Sequence, residues 1–127
     1  MPKTLERIRT VPIGGGRLDL PPSLRLDCHE RLETRSATSI YGRIDPSRPA
    51  PTMTTRCTTP SCGRFVHPSE DRGLTLREAA LIQTFPPDYK FEGNYGEVER
   101  QIGNAVPVRM AEALGLAVAR LLELRSG

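Results

Sequence analysis

Tryptophan is absent from this 127-residue chain, and only 5% of its residues are aromatic. Such a sequence has few large side chains with which to fill a core. With 12 prolines and 11 glycines among 37% hydrophobic residues, it is thin material for an autonomous domain, because small domains bury a smaller share of their surface. No window approaches the roughly 18 consecutive apolar residues of a membrane span. The N-terminus carries no apolar signal-peptide core, so a cytoplasmic protein without a membrane partner is expected. Three cysteines, Cys28, Cys57 and Cys62, make no disulfide framework and read as free thiols. Their spacing, even with His29 and His67 added, lacks the doubled C-x₂₋₄-C pairs of structural zinc, so no metal site is expected.

Lysine is also scarce, since sixteen of the eighteen basic residues are arginine. That bias favours planar, bidentate contacts to phosphate or guanine over a diffuse cationic field. Residues 34–66 hold five arginines (Arg35, Arg43, Arg48, Arg56, Arg64) against the single acid Asp45. Residues 67–127 hold seven basic and nine acidic side chains. The positive charge is therefore concentrated in the middle of the chain.

Gly14-Gly15-Gly16, Pro12 and Pro21-Pro22 interrupt residues 1–35, which should be loops with a short helix near Lys3–Arg9. The triplet is flanked by proline where a phosphate-cradling loop would need a strand and a helix, so it reads as a turn. Thr38, Ile40, Ile44, Thr52, Thr54 and Thr55 are β-formers and predict extended chain over 38–56, with turns at Asp45-Pro46 and Pro49-Ala50-Pro51. Thr75 and Glu78 form a capping box that opens a helix closed by Pro86-Pro87. A turn-rich link through Asp88, Gly93-Asn94 and Gly96 follows. The last helix is predicted to start at Asn104, an N-cap residue type, with Pro107 in its first turn. Its apolar residues Val106, Met110, Ala113, Leu114, Ala117, Val118, Leu121 and Leu122 keep helical spacing.

Two dense segments carry more. Arg72-Gly73-Leu74-Thr75-Leu76-Arg77-Glu78-Ala79-Ala80-Leu81-Ile82-Gln83-Thr84-Phe85-Pro86 is followed by Gln101-Ile102-Gly103-Asn104-Ala105-Val106-Pro107. In this order and at this distance they resemble the last two sequence blocks of the DNA (cytosine-5) methyltransferases. The resemblance runs from near Tyr41 almost to the C-terminus and includes Asp88-Tyr89-Lys90-Phe91. Pro51-Thr52-Met53-Thr54-Thr55 is similar to the threonine segment of that family's target recognition domain, with Met53 where leucine or isoleucine is usual.

The resemblance implies an α+β fold: an irregular, β-rich recognition segment and then two helices, forming the C-terminal half of a class I S-adenosylmethionine-dependent methyltransferase. Residues 1–72 would be a partial DNA-recognition domain. Residues 73–127 would supply a scaffold helix and the closing helix of the cofactor pocket. Asn104 and Ala105 would touch S-adenosylmethionine. Thr52 would hold the DNA backbone beside a base turned out of the duplex, an extrusion needed because the carbon to be methylated lies inside the stack. Arg43 and Arg56 are the expected contacts to double-stranded DNA.

No catalytic residue is expected here. The family nucleophile is a cysteine directly after proline, whereas Ser61 separates Pro60 from Cys62, and no Glu-Asn-Val segment is present. The chain should thus be part of a DNA (cytosine-5-)-methyltransferase, inactive alone and completed by an N-terminal methyltransferase half. The alternative is a stand-alone, non-catalytic DNA-binding module.

Overall fold

The computed structural model describes residues 3–32 and 36–125; Arg35, one of the five clustered arginines, lies outside them. Five α-helices are present among the described residues: α1 (Lys3–Thr10), α2 (Asp27–Glu30), α3 (Leu76–Ile82), α4 (Tyr95–Asn104) and α5 (Val108–Arg125). Short 3₁₀ turns occur at Arg17–Asp19, Pro22–Leu24 and Pro60–Cys62.

The expected α+β class is overturned, because the described residues contain no β-strand. Among the described residues β-pairing is limited to single-residue bridges, Ile13 to Arg43, Arg43 to Val66, and Val66 to Gly73. The physical reason lies on both sides of Arg43. Tyr41 has a φ of +55° and Gly42 N–H closes a turn onto the Ser39 carbonyl. After Ile44, the Asp45-Pro46-Ser47-Arg48 turn closes through Arg48 N–H onto the Asp45 carbonyl. Beyond it Pro49 and Pro51 have no N–H to give to a ladder. The β-forming threonines Thr52, Thr54 and Thr55 therefore lie in non-repetitive chain.

The helices are set by local signals. Lys3–Thr10 forms where a short helix was expected and buries Ile8. Thr75 and Glu78 make the capping box reciprocally, Glu78 N–H to Thr75 Oγ1 and Thr75 N–H to Glu78 Oε2. The same device opens α4, where Asn94 and Glu97 cap each other. Three helices rather than two thus follow residue 73, and the turn-rich link gives way to α4 from Tyr95 onward. The predicted start of the last helix is also corrected. Asn104 is the final residue of α4, Ala105 is extended at φ −71° and ψ 144°, and α5 begins at Val108. Pro107 makes the break, since the residue before a proline is driven out of helical conformation.

Two apolar clusters hold the chain. Ile44, Met53, Cys57 and Phe65 pack with Leu74, Ala79, Ala80, Val98 and Ile102, joining the middle segment to α3 and α4. Ile8, Val11, Leu20, Tyr41 and Val66 form the second cluster around α1. Neither includes a residue of α5. Val108, Met110, Leu114, Leu116, Val118, Leu121 and Leu122 are all exposed, Leu121 by 61%.

Candidate functional site

The site is built where α3, the turn after α4, and the proline-rich segment meet. One groove of about 580 Å³ is lined by Ala50, Pro51, Thr52 and Met53 on one side and by Gly103, Ala105, Pro107 and Met110 on the other. Ile82 and Gln83 line it as well. Thr52 and Ala105, 53 positions apart in sequence, are thus brought to one cavity. Asn104 stands exposed at the end of α4 beside it, and its side-chain amide has no partner among the described residues.

Two contacts fix this arrangement. A Cβ added at Gly103 would meet the Thr54 carbonyl oxygen at 2.1 Å and the Thr55 nitrogen at 2.5 Å. Only glycine allows the end of α4 to press against the backbone at Thr54 and Thr55. At the other end of that segment Glu99, buried on α4, accepts hydrogen bonds from both the backbone N–H (2.9 Å) and the hydroxyl of Thr58. Tyr95 donates its hydroxyl to the same threonine at 2.9 Å. The loop between Thr52 and Thr58 is therefore tied down on both sides, with Cys57 sealed beneath it. Burial, and then the Glu99 carboxylate, push the Cys57 thiol up to about 11, so it is an inert packing group rather than a nucleophile. Cys28 and Cys62 are exposed.

Arg43 and Arg56, expected together on DNA, part company. Arg56 is exposed and its side chain makes no hydrogen bond or ion pair among the described residues. Arg43 is buried, and all five of its N–H groups are engaged inside the protein. Nε donates to Val11 O, Nη1 to His67 O and Glu70 O, and Nη2 to Ile8 O and Asp71 Oδ1, all between 2.8 and 3.0 Å. No donor is left for a phosphate or a base. Arg64 is likewise turned inward, holding the Gly14 and Gly15 carbonyls through Nη1, and Arg48 pairs with Asp45 at 3.3 Å on the surface. Of the described arginines in this segment, Arg43 alone is buried and Arg64 is half-buried, while Arg48 and Arg56 keep their charge on the surface.

A charge pair sits at the start of α3. Arg72 grips Glu78 with two parallel bonds of 2.7 and 2.8 Å and reaches Glu70 as well. The Arg72 fork, helped by the Thr75 cap, holds the Glu78 carboxyl down at about 2. Near α2, burial and the neighbouring Arg17 and Arg7 push the His29 imidazole below its ordinary value of 6.5, and its Nδ1 is buried without a hydrogen-bond partner. Both groups have folded-state values below their unfolded ones, so both contribute stability at neutral pH that disappears on acidification. The His29 share is lost as pH falls below about 6.5, and the Glu78 share between about 4.5 and 2. Glu78→Gln should lower stability at pH 7 by about 2 kcal/mol, the scale of hydrogen bonds to a charged group. It should match the parent near pH 2; acid titration of the folded signal by circular dichroism checks this.

Residues 16–120 match the model of the C-5 cytosine-specific DNA methylase family. The type II methylase M.HgiDII of Herpetosiphon aurantiacus is 45% identical over 123 residues, which cover 94% of this chain and 35% of that protein. The type II methyltransferase M.PspPI of a Psychrobacter species is 51% identical over 126 residues, covering 92% of this chain and 28% of that protein. The type II methyltransferase M.AquIB of a Picosynechococcus strain is 38% identical over 132 residues, covering 95% of this chain and 83% of that protein. The chain belongs to the C-5 cytosine-specific DNA methylase family. It spans about a third of the length of M.HgiDII. No helix among the described residues is long and apolar enough to cross a membrane.

One lining residue of the groove was missed from sequence. Gln83, which drew no site expectation from the sequence, donates both N–H groups of its side-chain amide, to Ile102 O and Ala105 O at 2.9 Å. Its place directly after an apolar helix, at the C-cap, was the available signal. Glu99 was missed because α4 itself was not recognised.

Proposed function

We propose that this chain is the C-terminal part of a DNA (cytosine-5) methyltransferase, supplying DNA target recognition and one wall of the S-adenosylmethionine pocket. The groove shared by Thr52 and Ala105 carries the reading, because it puts the recognition segment and the closing turn of the family on one cavity. Asn104 and Ala105 fit one end of the cofactor. Ala105 is small and partly buried on the groove wall, and the free Asn104 amide can both donate and accept. When bound, S-adenosylmethionine supplies the methyl group. The residues of this chain bind and orient: Thr52 and Arg56 hold the DNA backbone beside the extruded cytosine, while α3 keeps the recognition segment in register with the cofactor turn.

The thiolate that attacks cytosine C6 belongs to a partner bearing the N-terminal methyltransferase half. The uncovered α5 favours this assembly over a stand-alone DNA-binding module. Arg109, Glu112, Arg120 and Glu123 gather on one face of α5 and leave a broad apolar face exposed, the pattern of a helix that packs against a larger body. M.AquIB, of which the chain covers 83%, is a methyltransferase of comparably short length.

The test is calorimetry on the complex formed with the N-terminal segment of a full-length relative such as M.HgiDII. Asn104→Ala should weaken S-adenosylmethionine binding about tenfold, as expected when one polar group of a pocket loses its partner, and leave assembly unchanged. Cofactor affinity equal to the parent's would remove Asn104 from the pocket.

A further inference from the structure

We propose that Gln83 and Thr84, the two residues that follow helix α3, are positioning residues. They set the geometry of the cofactor turn by capping the helices on both sides of it. The inference deepens the functional reading above and rests on Asn104 and Ala105 being the cofactor contacts.

The observation begins with a residue that is out of place by local rules. Helix α3 ends in a Schellman motif: Phe85 N–H bonds to Ala80 O at 3.0 Å and Thr84 N–H to Leu81 O at 2.9 Å. The residue at the left-handed position of that motif is ordinarily glycine. Here it is Thr84 at φ +62°, a β-branched side chain where such a conformation is strained. Glycine would relieve the backbone but would remove a hydroxyl that is in use. Thr84 Oγ1 accepts the Arg109 N–H at 3.1 Å, one of the free donors in the first turn of α5. The preceding one, Val108 N–H, is accepted by the Gln83 carbonyl at 3.2 Å.

Gln83 works in the opposite direction with its side chain. Its amide gives one N–H to Ile102 O, in the last turn of α4, and the other to Ala105 O, just beyond it. Two adjacent residues thus hold the C-terminal end of α4 and the N-terminal end of α5. Between these ends lies only the Ala105-Val106-Pro107 turn. That turn has no repetitive structure of its own, and Gln83 also lines the groove. The end of α4 that carries Asn104 is therefore held from the neighbouring end of α3.

The test uses three variants. In the chain alone, Thr84→Gly should speed hydrogen exchange of the Arg109 amide about tenfold, as expected for loss of one capping bond. Thr84→Ser, which keeps the hydroxyl, should leave it near the parent rate. In the assembly with the N-terminal segment of M.HgiDII, Thr84→Gly and Gln83→Met should raise KM for S-adenosylmethionine about tenfold, a loss of positioning rather than of contact. KM for DNA should stay within about twofold, because the Thr52 side of the groove is held separately, and Thr84→Ser should restore the parent KM. Should Gln83→Met fail to fold, Thr84→Gly, which relieves strain, still decides. Parent-like exchange and parent-like KM in Thr84→Gly would overturn the proposal, as would equal behaviour of the serine and glycine variants. An assembly inactive with the parent sequence would overturn the methyltransferase reading instead, with the exchange data still judging the clamp.

Discussion

Exchange of Leu114 and Leu121 for glutamate is expected to leave the thermal transition of the isolated chain in place and to abolish its assembly with the N-terminal methyltransferase half. Both side chains are more than half exposed, and neither belongs to either apolar cluster. Surface substitutions of this kind change stability by no more than about 0.5 kcal/mol. In the assembly the same residues would be covered. Full burial of one leucine is worth about 1.5–3 kcal/mol, so losing two removes about 3–6 kcal/mol of association energy, on the order of 10² to 10⁴ in Kd. The parent chain alone, with its apolar helix in water, should self-associate in sedimentation velocity, and the double variant should run as a monomer. A lone chain destabilised by the exchange would mean that α5 packs internally.

Arg43→Ala should have the opposite profile, abolishing the fold before DNA enters the question. Its five hydrogen bonds join α1 (Ile8), the residue that follows it (Val11) and the His67–Asp71 loop to the middle of the chain. Removing the guanidinium leaves four carbonyl acceptors and the Asp71 carboxylate without this partner. Breaking such a pair by deleting one member costs about 3–5 kcal/mol, a large part of the 5–15 kcal/mol that holds a typical domain. Arg43→Lys should recover little, since a compact ammonium with three donors cannot span five acceptors set around a planar fork. Arg56→Ala provides the contrast: parent-like thermal unfolding, with weaker and less salt-sensitive DNA binding by the assembly. Arg43→Ala with a parent-like cooperative transition would show that the carbonyls find other partners.

These two residues also mark where sequence was legible and where it was not. Arg43 and Arg56 are chemically identical letters in one basic segment. What separates them is the non-local return of α1 and the His67 loop to Arg43, which no local pattern encodes. Local signals fared better. The Thr75–Glu78 capping box, the Lys3–Thr10 helix and the Asp45–Arg48 turn each depend on residues within one or two turns of one another. The Asn94–Glu97 box is as strong as the Thr75–Glu78 one, yet Gly93 and Gly96 around it read as loop and concealed α4. Without α4, Asn104 reads as the start of a helix when it is the end of one, since an N-cap residue type beside glycine suits either terminus. The β-formers of 38–56 misled because turns at Ser39–Gly42 and Asp45–Arg48 leave Arg43 alone to pair, and the prolines beyond have no N–H to give to a ladder. The meeting of Thr52 with Ala105 in one groove lies at the far end of this scale. It rests on Gly103 lying against Thr54 and on Gln83 bridging two helices, contacts that only the folded chain displays.

The central claim is tested most directly by transfer of labelled methyl from S-adenosylmethionine to cytosine in double-stranded DNA, with this chain alone, the N-terminal half alone, and the two combined. The account predicts no transfer from either polypeptide and robust transfer from the mixture. Transfer by this chain alone, or a mixture that assembles and binds DNA yet moves no methyl group, would contradict it.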